Sequence, residues 1–212
     1  MIKFDLHIHS SASKYKEDSA IVDNSTPENA SFLLEKLNEH DVALFSITDH
    51  NRFNVELYRK FDELMHTASD EYPSVKGLVA GVEFDVQIDG DMGKCHIITI
   101  FDAKNDANNY AKIHSAINNN LITNNQAAYS RKDFEALLKE IGLNVILIAC
   151  QRSGLDRQSG KHNSLSESAH DPEGLLRTGY IDALEFQKPN VEGILRNNLR
   201  DMPNQVGLVM GS

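Results

Sequence analysis

The chain has 212 residues and a formal net charge of −10. That length favours one domain over residues 1–212 with a sizeable core, and the acidic balance excludes steering of nucleic acid by the chain as a whole, leaving only a local basic patch for that task. No apolar run approaches the roughly 20 residues of a membrane span. The first residues run straight into a strand pattern, so no secretory leader is expected. Two cysteines, Cys95 and Cys150, make no disulfide framework, which points to the cytoplasm.

Apolar, strand-like runs occupy residues 2–8, 42–48, 77–84, 95–101, 144–149, 181–186 and 206–210. Helical patterns fall between them. Residues 27–40 open with Thr26 as a candidate N-cap and Pro27 at the first helical position. Residues 54–67 carry an apolar stripe of Leu57, Tyr58, Phe61, Leu64 and Met65. Patterns at 107–118, 132–141 and 191–200 follow, and Ser130 with Asp133 offers a cap that Gly142 answers as a stop. Strands alternating with helices predict an α/β protein with a largely parallel sheet. Seven strands without a glycine-rich dinucleotide fingerprint suit a distorted (β/α)7 TIM-like barrel.

Chemistry-bearing residues gather at the C-terminal ends of these runs. Phe4-Asp5-Leu6-His7-Ile8-His9-Ser10 closes the first. Residues i and i+2 of a strand share a face, so His7 and His9 aim at one point, as paired metal ligands must. Ile47-Thr48-Asp49-His50 closes the second run, and Gly81-Val82-Glu83 lies in the third. In barrels, active sites lie at strand C-termini. Three such clusters at successive strand ends carry far more information than any one pair.

These motifs, with His96 on the next strand, resemble the PHP (polymerase and histidinol phosphatase) domain family of metal-dependent phosphoesterases, over the chain from residue 2 to its end. The resemblance implies a distorted seven-stranded barrel and two or three divalent metal ions (zinc, manganese or iron). It also implies hydrolysis of phosphate esters by a metal-activated water, without a side-chain nucleophile. By the same resemblance His7 and His9 would bind a first metal and Glu83 would bridge it to a second. His96 would bind the second and His50 a third. Cys150 stands where the family places a histidine, and a thiolate there suits zinc better than manganese. Asp49 is expected to orient an imidazole, and Glu185 to reach the edge of the site from the sixth strand.

The stretch 151–170 is rich in Ser and Gly and carries Arg152, Arg157, Lys161 and His162. It is expected to be a long loop over the catalytic face, with Arg152, Lys161 and His162 contacting substrate phosphate. The turn at 11–14 and the loop at 161–165 are similar to a subgroup whose PHP domain precedes a P-loop ATPase. This directs the substrate expectation to a nucleotide or nucleic acid and the partner expectation to a C-terminal ATPase domain. The family's last strand ends in further ligands, and the sequence stops at Met210-Gly211-Ser212, so a truncated domain is expected. Two other readings remain open: a catalytically impaired PHP scaffold, and an amidohydrolase-like hydrolase, whose sites use a lysine where this chain has Glu83.

Overall fold

The computed structural model describes residues 2–13, 26–120, 128–156 and 163–211. Strands β1 (Lys3–Ile8), β2 (Val42–Ile47) and β3 (Gly77–Leu78) form one sheet in that order, with both pairings parallel. A second sheet has the order β6-β4-β5-β7-β8-β9. Its strands are β4 (Ala80–Gln87), β5 (Cys95–Phe101), β6 (Tyr129–Ser130), β7 (Val145–Cys150), β8 (Ala183–Phe186) and β9 (Gly207–Met210). The pairs β4–β6, β7–β8 and β8–β9 are parallel. The helices among the described residues are α1 (Ala30–Glu39), α2 (Val55–Thr67), α3 (Ala107–Asn119), α4 (Arg131–Ile141), α5 (Leu165–Ser168), α6 (Pro172–Arg177) and α7 (Pro189–Asn198). The fold is therefore mixed α/β, as the alternating pattern requires. The named strands among the described residues form two sheets.

The chain divides into two compact units. The first comprises Met1–Glu83, Ile100–Leu121 and Ile141–Asn144. Its core is an aromatic cluster: Phe45 meets Phe61 edge-on, and Tyr58 packs with Phe53 and Tyr110. Helix α2 supplies two of these rings because Tyr58 and Phe61 stand three apart on its apolar face. Asn54 caps it, its side chain accepting a bond from the Leu57 N–H at 3.2 Å. Fully burying each such ring contributes about 1.5–3 kcal/mol. The second unit comprises Phe84–Thr99, Ile122–Glu140 and Val145–Ser212. Phe84, Tyr129 and Phe134 form its aromatic contacts.

Several local expectations differ from the structure. Thr26 makes no side-chain capping bond; Pro27–Asn29 forms a 3-10 turn and the α-helix starts at Ala30. The run at 77–84 is two strands, interrupted at Val79, whose N–H turns to the Phe45 carbonyl at 2.9 Å. The described parts of the stretch 151–170, residues 151–156 and 163–170, are not a plain loop. Gln151 is buried and its side chain donates to the Gly154 carbonyl (2.8 Å) and to Ser166 Oγ (3.0 Å), docking helix α5. Among the described residues no helix is long and apolar enough to cross a membrane.

Candidate metal centre

The first unit brings the ends of β1 and β2 beside Glu83, which lies in the middle of β4 and not at a strand end as the sequence suggested. The Thr48 N–H donates to the Ile8 carbonyl at 2.7 Å, fixing the end of β2 beside the end of β1. His50 forms a parallel bridge with Glu83 of β4, and the Asn51 N–H donates to the Glu83 carbonyl at 2.8 Å. Asn51 then takes the left-handed conformation (φ 52°), a region Asn tolerates, and turns the chain away.

On this frame the side chains converge. Nε2 atoms of His7, His9 and His50 lie 3.3, 3.2 and 3.1 Å from one oxygen, Glu83 Oε2. The His7 and His9 Nε2 atoms are 3.1 Å apart. The His9 and His50 rings stack at 4.7 Å with 10° between their planes, while His7 meets His9 edge-on. His9, His50 and Glu83 are buried, and His7 is half-buried.

This donor set fits a divalent cation. Two ligands each about 2.1 Å from a tetrahedral ion stand about 3.4 Å apart, close to the separations observed. Imidazole nitrogen with carboxylate oxygen suits zinc, manganese or iron. His9 Nδ1 is buried and has no hydrogen-bond partner among the described residues.

Asp49 sits one residue before His50, almost fully buried. Its hydrogen bonds go to Ser10 and not to an imidazole: Oδ1 accepts from the Ser10 N–H and Oδ2 from the Ser10 hydroxyl, both at 2.6 Å. It therefore positions His9 through the backbone that follows it. Burial pushes the Asp49 carboxyl up, and the two Ser10 bonds pull against that rise.

In the second unit, His96 Nε2 lies 3.1 Å from Asp85 Oδ1, and Lys94 Nζ lies 2.8 Å from the same oxygen. Burial drives the Asp85 carboxyl up, but His96 and Lys94 together outweigh it and hold the group well below the usual carboxylate range. Asp85 and Lys94 were not singled out from the sequence. Glu83-Phe84-Asp85 repeats the i, i+2 spacing of His7-Ile8-His9, and an acid inside an apolar strand was the available signal.

The remaining candidates fall elsewhere. Cys150 is buried at the end of β7 and belongs to no group of three or more converging His, Cys, Asp or Glu ligand atoms among the described residues. Glu185 is buried on β8, opposite Cys150 in the β7–β8 ladder. Arg152 is half-buried; its N–H donates to Ser164 Oγ at 3.3 Å, and its Nε is buried with no hydrogen-bond partner among the described residues. Lys161 and His162 lie outside the described residues, as does Arg157.

No protein-family model matches the chain, and no curated protein matches it. Among solved structures it is similar to one described as a "putative metal-dependent phosphoesterase" from Bifidobacterium adolescentis, with a TM-score of 0.53 and 12% identity. The match covers 98% of this chain and 86% of that one. At that identity the likeness speaks for the fold.

Proposed function

We propose that the chain is a metal-dependent phosphoesterase of the PHP type, hydrolysing phosphate esters of nucleotides or nucleic acid on a barrel-like arrangement of its strands. The observation that carries the reading is the convergence of three imidazole Nε2 atoms on one buried carboxylate oxygen, Glu83 Oε2. The printed name of the structural neighbour supports the same class. His7, His9, His50 and Glu83 of the first unit hold divalent metal, and His96 is a metal ligand in the second. A divalent cation held there would supply Lewis acidity, polarising a phosphoryl oxygen and lowering the pKa of water so that hydroxide is available to attack phosphorus near neutral pH. Glu83 brings one buried negative charge among the three rings, and a bound cation would offset it. Asp49 fixes the Ser10 turn and with it the direction of His9. Arg152 meets a substrate phosphate, since guanidinium pairs with phosphate oxygens in a fixed fork; Lys161 and His162 add to that contact.

The test loads the purified chain with Mn2+ or Zn2+, counts metal by mass spectrometry and assays bis(p-nitrophenyl) phosphate. Metal-dependent hydrolysis is expected, with oxygen from labelled water appearing in the phosphate-bearing product. The His7→Ala/His9→Ala double variant should lose at least one equivalent of metal and essentially all activity. Full metal retention by that variant would refute the ligand assignment. A metal-loaded chain that turns over no phosphate ester would favour a scaffold instead.

A further inference from the structure

Asp85 is completely buried, and a charge in that position is tolerated only when it is paired. Two nitrogen groups meet the same oxygen of it. His96 approaches with Nε2, and Lys94, just before β5, approaches with its ammonium. The connection 88–94 between β4 and β5 is too short for a parallel crossover, so it delivers Lys94 back beside the strand that carries Asp85. The lysine thus holds the same carboxylate oxygen that a cation shared by Asp85 and His96 would need.

Lys94 is not sealed in. Its side chain keeps 26% of its exposure. It also lines a cavity of about 360 Å³ with Gln87, Met92, Gly93, Ala128, Ser130 and Asp133. The ammonium rides on a flexible four-carbon stem, and the Asp133 carboxylate on the cavity wall offers it a second acceptor.

We propose that Asp85 is a further metal ligand alongside His96, and that Lys94 is an internal cation that pairs with Asp85 when metal is absent and is expelled into the neighbouring cavity when a divalent ion binds. The proposal rests on the metal-dependent reading given above. The ammonium neutralises the buried carboxylate in the metal-free chain, and its displacement lowers the affinity of the site. Lys94 is therefore a positioning residue that sets the metal concentration at which the site fills.

Calorimetric titration of the full chain with Mn2+ tests this, with circular dichroism to confirm folding. Lys94→Met should tighten Mn2+ binding at least tenfold, because the competing cation is gone. Asp85→Asn should weaken it at least tenfold. Lys94→Gln keeps a hydrogen bond to Asp85 without the charge, and carries the same expectation as Lys94→Met should that variant not fold. A purely structural ion pair predicts the opposite sign for lysine, with affinity unchanged or lowered. Metal uptake by the wild type with unchanged or weaker binding in the folded lysine variant overturns this proposal alone, as does unchanged binding in Asp85→Asn. A wild-type chain that takes up no Mn2+ overturns the metal-dependent reading too.

Discussion

The Ser10–Asp49 pair shows how one side chain governs another without touching it. Ser10 donates its N–H and its hydroxyl to the two oxygens of a buried carboxylate, and the same hydroxyl accepts from the Ala12 N–H at 3.1 Å. Ser10→Ala removes a charge-assisted bond and leaves Asp49 Oδ2 inside the protein unmatched. Such a loss costs about 1.5–3 kcal/mol. Urea unfolding should show that decrease, and metal affinity should fall with it because the turn carries His9. A variant of unchanged stability would mean that the turn is held by other contacts. Tyr58 is a second organising side chain. Its hydroxyl donates to the Ile47 carbonyl at 2.7 Å and accepts from the Gly81 and Ile47 N–H groups at 2.9 and 3.1 Å. Tyr58→Phe strands both N–H groups and should cost about 1–3 kcal/mol, read from the same urea transition. At this scale the convergence of His7, His9 and His50 on Glu83 could be anticipated, because residue type and position along a strand are local patterns, although Glu83 sits inside β4 and not at its end. Asp85 and Lys94 were not, since only burial and pairing across a connection reveal them. The partner of Asp49 was equally hidden: sequence placed it beside His50, whereas the fold gives its bonds to Ser10.

Strand β4 carries Glu83 and owes its position to a close approach. A Cβ built at Gly81 would lie 2.8 Å from Thr48 Cγ2 and 3.0 Å from Ile100 Cδ1, and would collide with Ser46 Oγ. Gly81→Ala should therefore overpack this junction and destabilise the chain by about 1–3 kcal/mol, moving Glu83 from its imidazoles. Thermal unfolding and metal counting would register both effects. If the variant melts like wild type with full metal content, the approach is looser than described. Long elements such as α2, α3 and β5 were readable from their apolar patterns. The two-residue β6 has no period to read. Helix α5 lay hidden in the Ser- and Gly-rich stretch 151–170, and α6 just beyond it is too short to show a period, although Asp171 caps it by accepting from the Gly174 N–H at 2.8 Å.

Across the whole molecule, buried phenols set an alkaline limit. Burial pushes Tyr129 and Tyr180 up to about 12, and raises Tyr58 and Tyr110 further above the usual value of 10.0. The folded state thus favours the neutral phenol. The stability this contributes is complete below pH 10, the value for the unfolded chain, and is lost as pH rises through 12. Tyrosinate absorbance and circular dichroism should change together in that window. Tyrosines that all ionise near pH 10 in a chain of unaltered dichroism would contradict the burial described.

The ligands of the first unit come from three distant stretches, around residues 8, 50 and 83. Only His7 and His9 are neighbours in the unfolded chain. Closing the two intervening loops costs chain entropy that a metal ion bound to a lone His pair does not offset. Packing of Phe45, Tyr58 and Phe61 must align β1, β2 and β4 first. An ion held by these side chains would therefore join late in folding, unlike in small zinc modules, where metal and fold form together. A chain built this way would exchange such an ion without unravelling, so its occupancy would follow the metal supply of its surroundings at any time after synthesis.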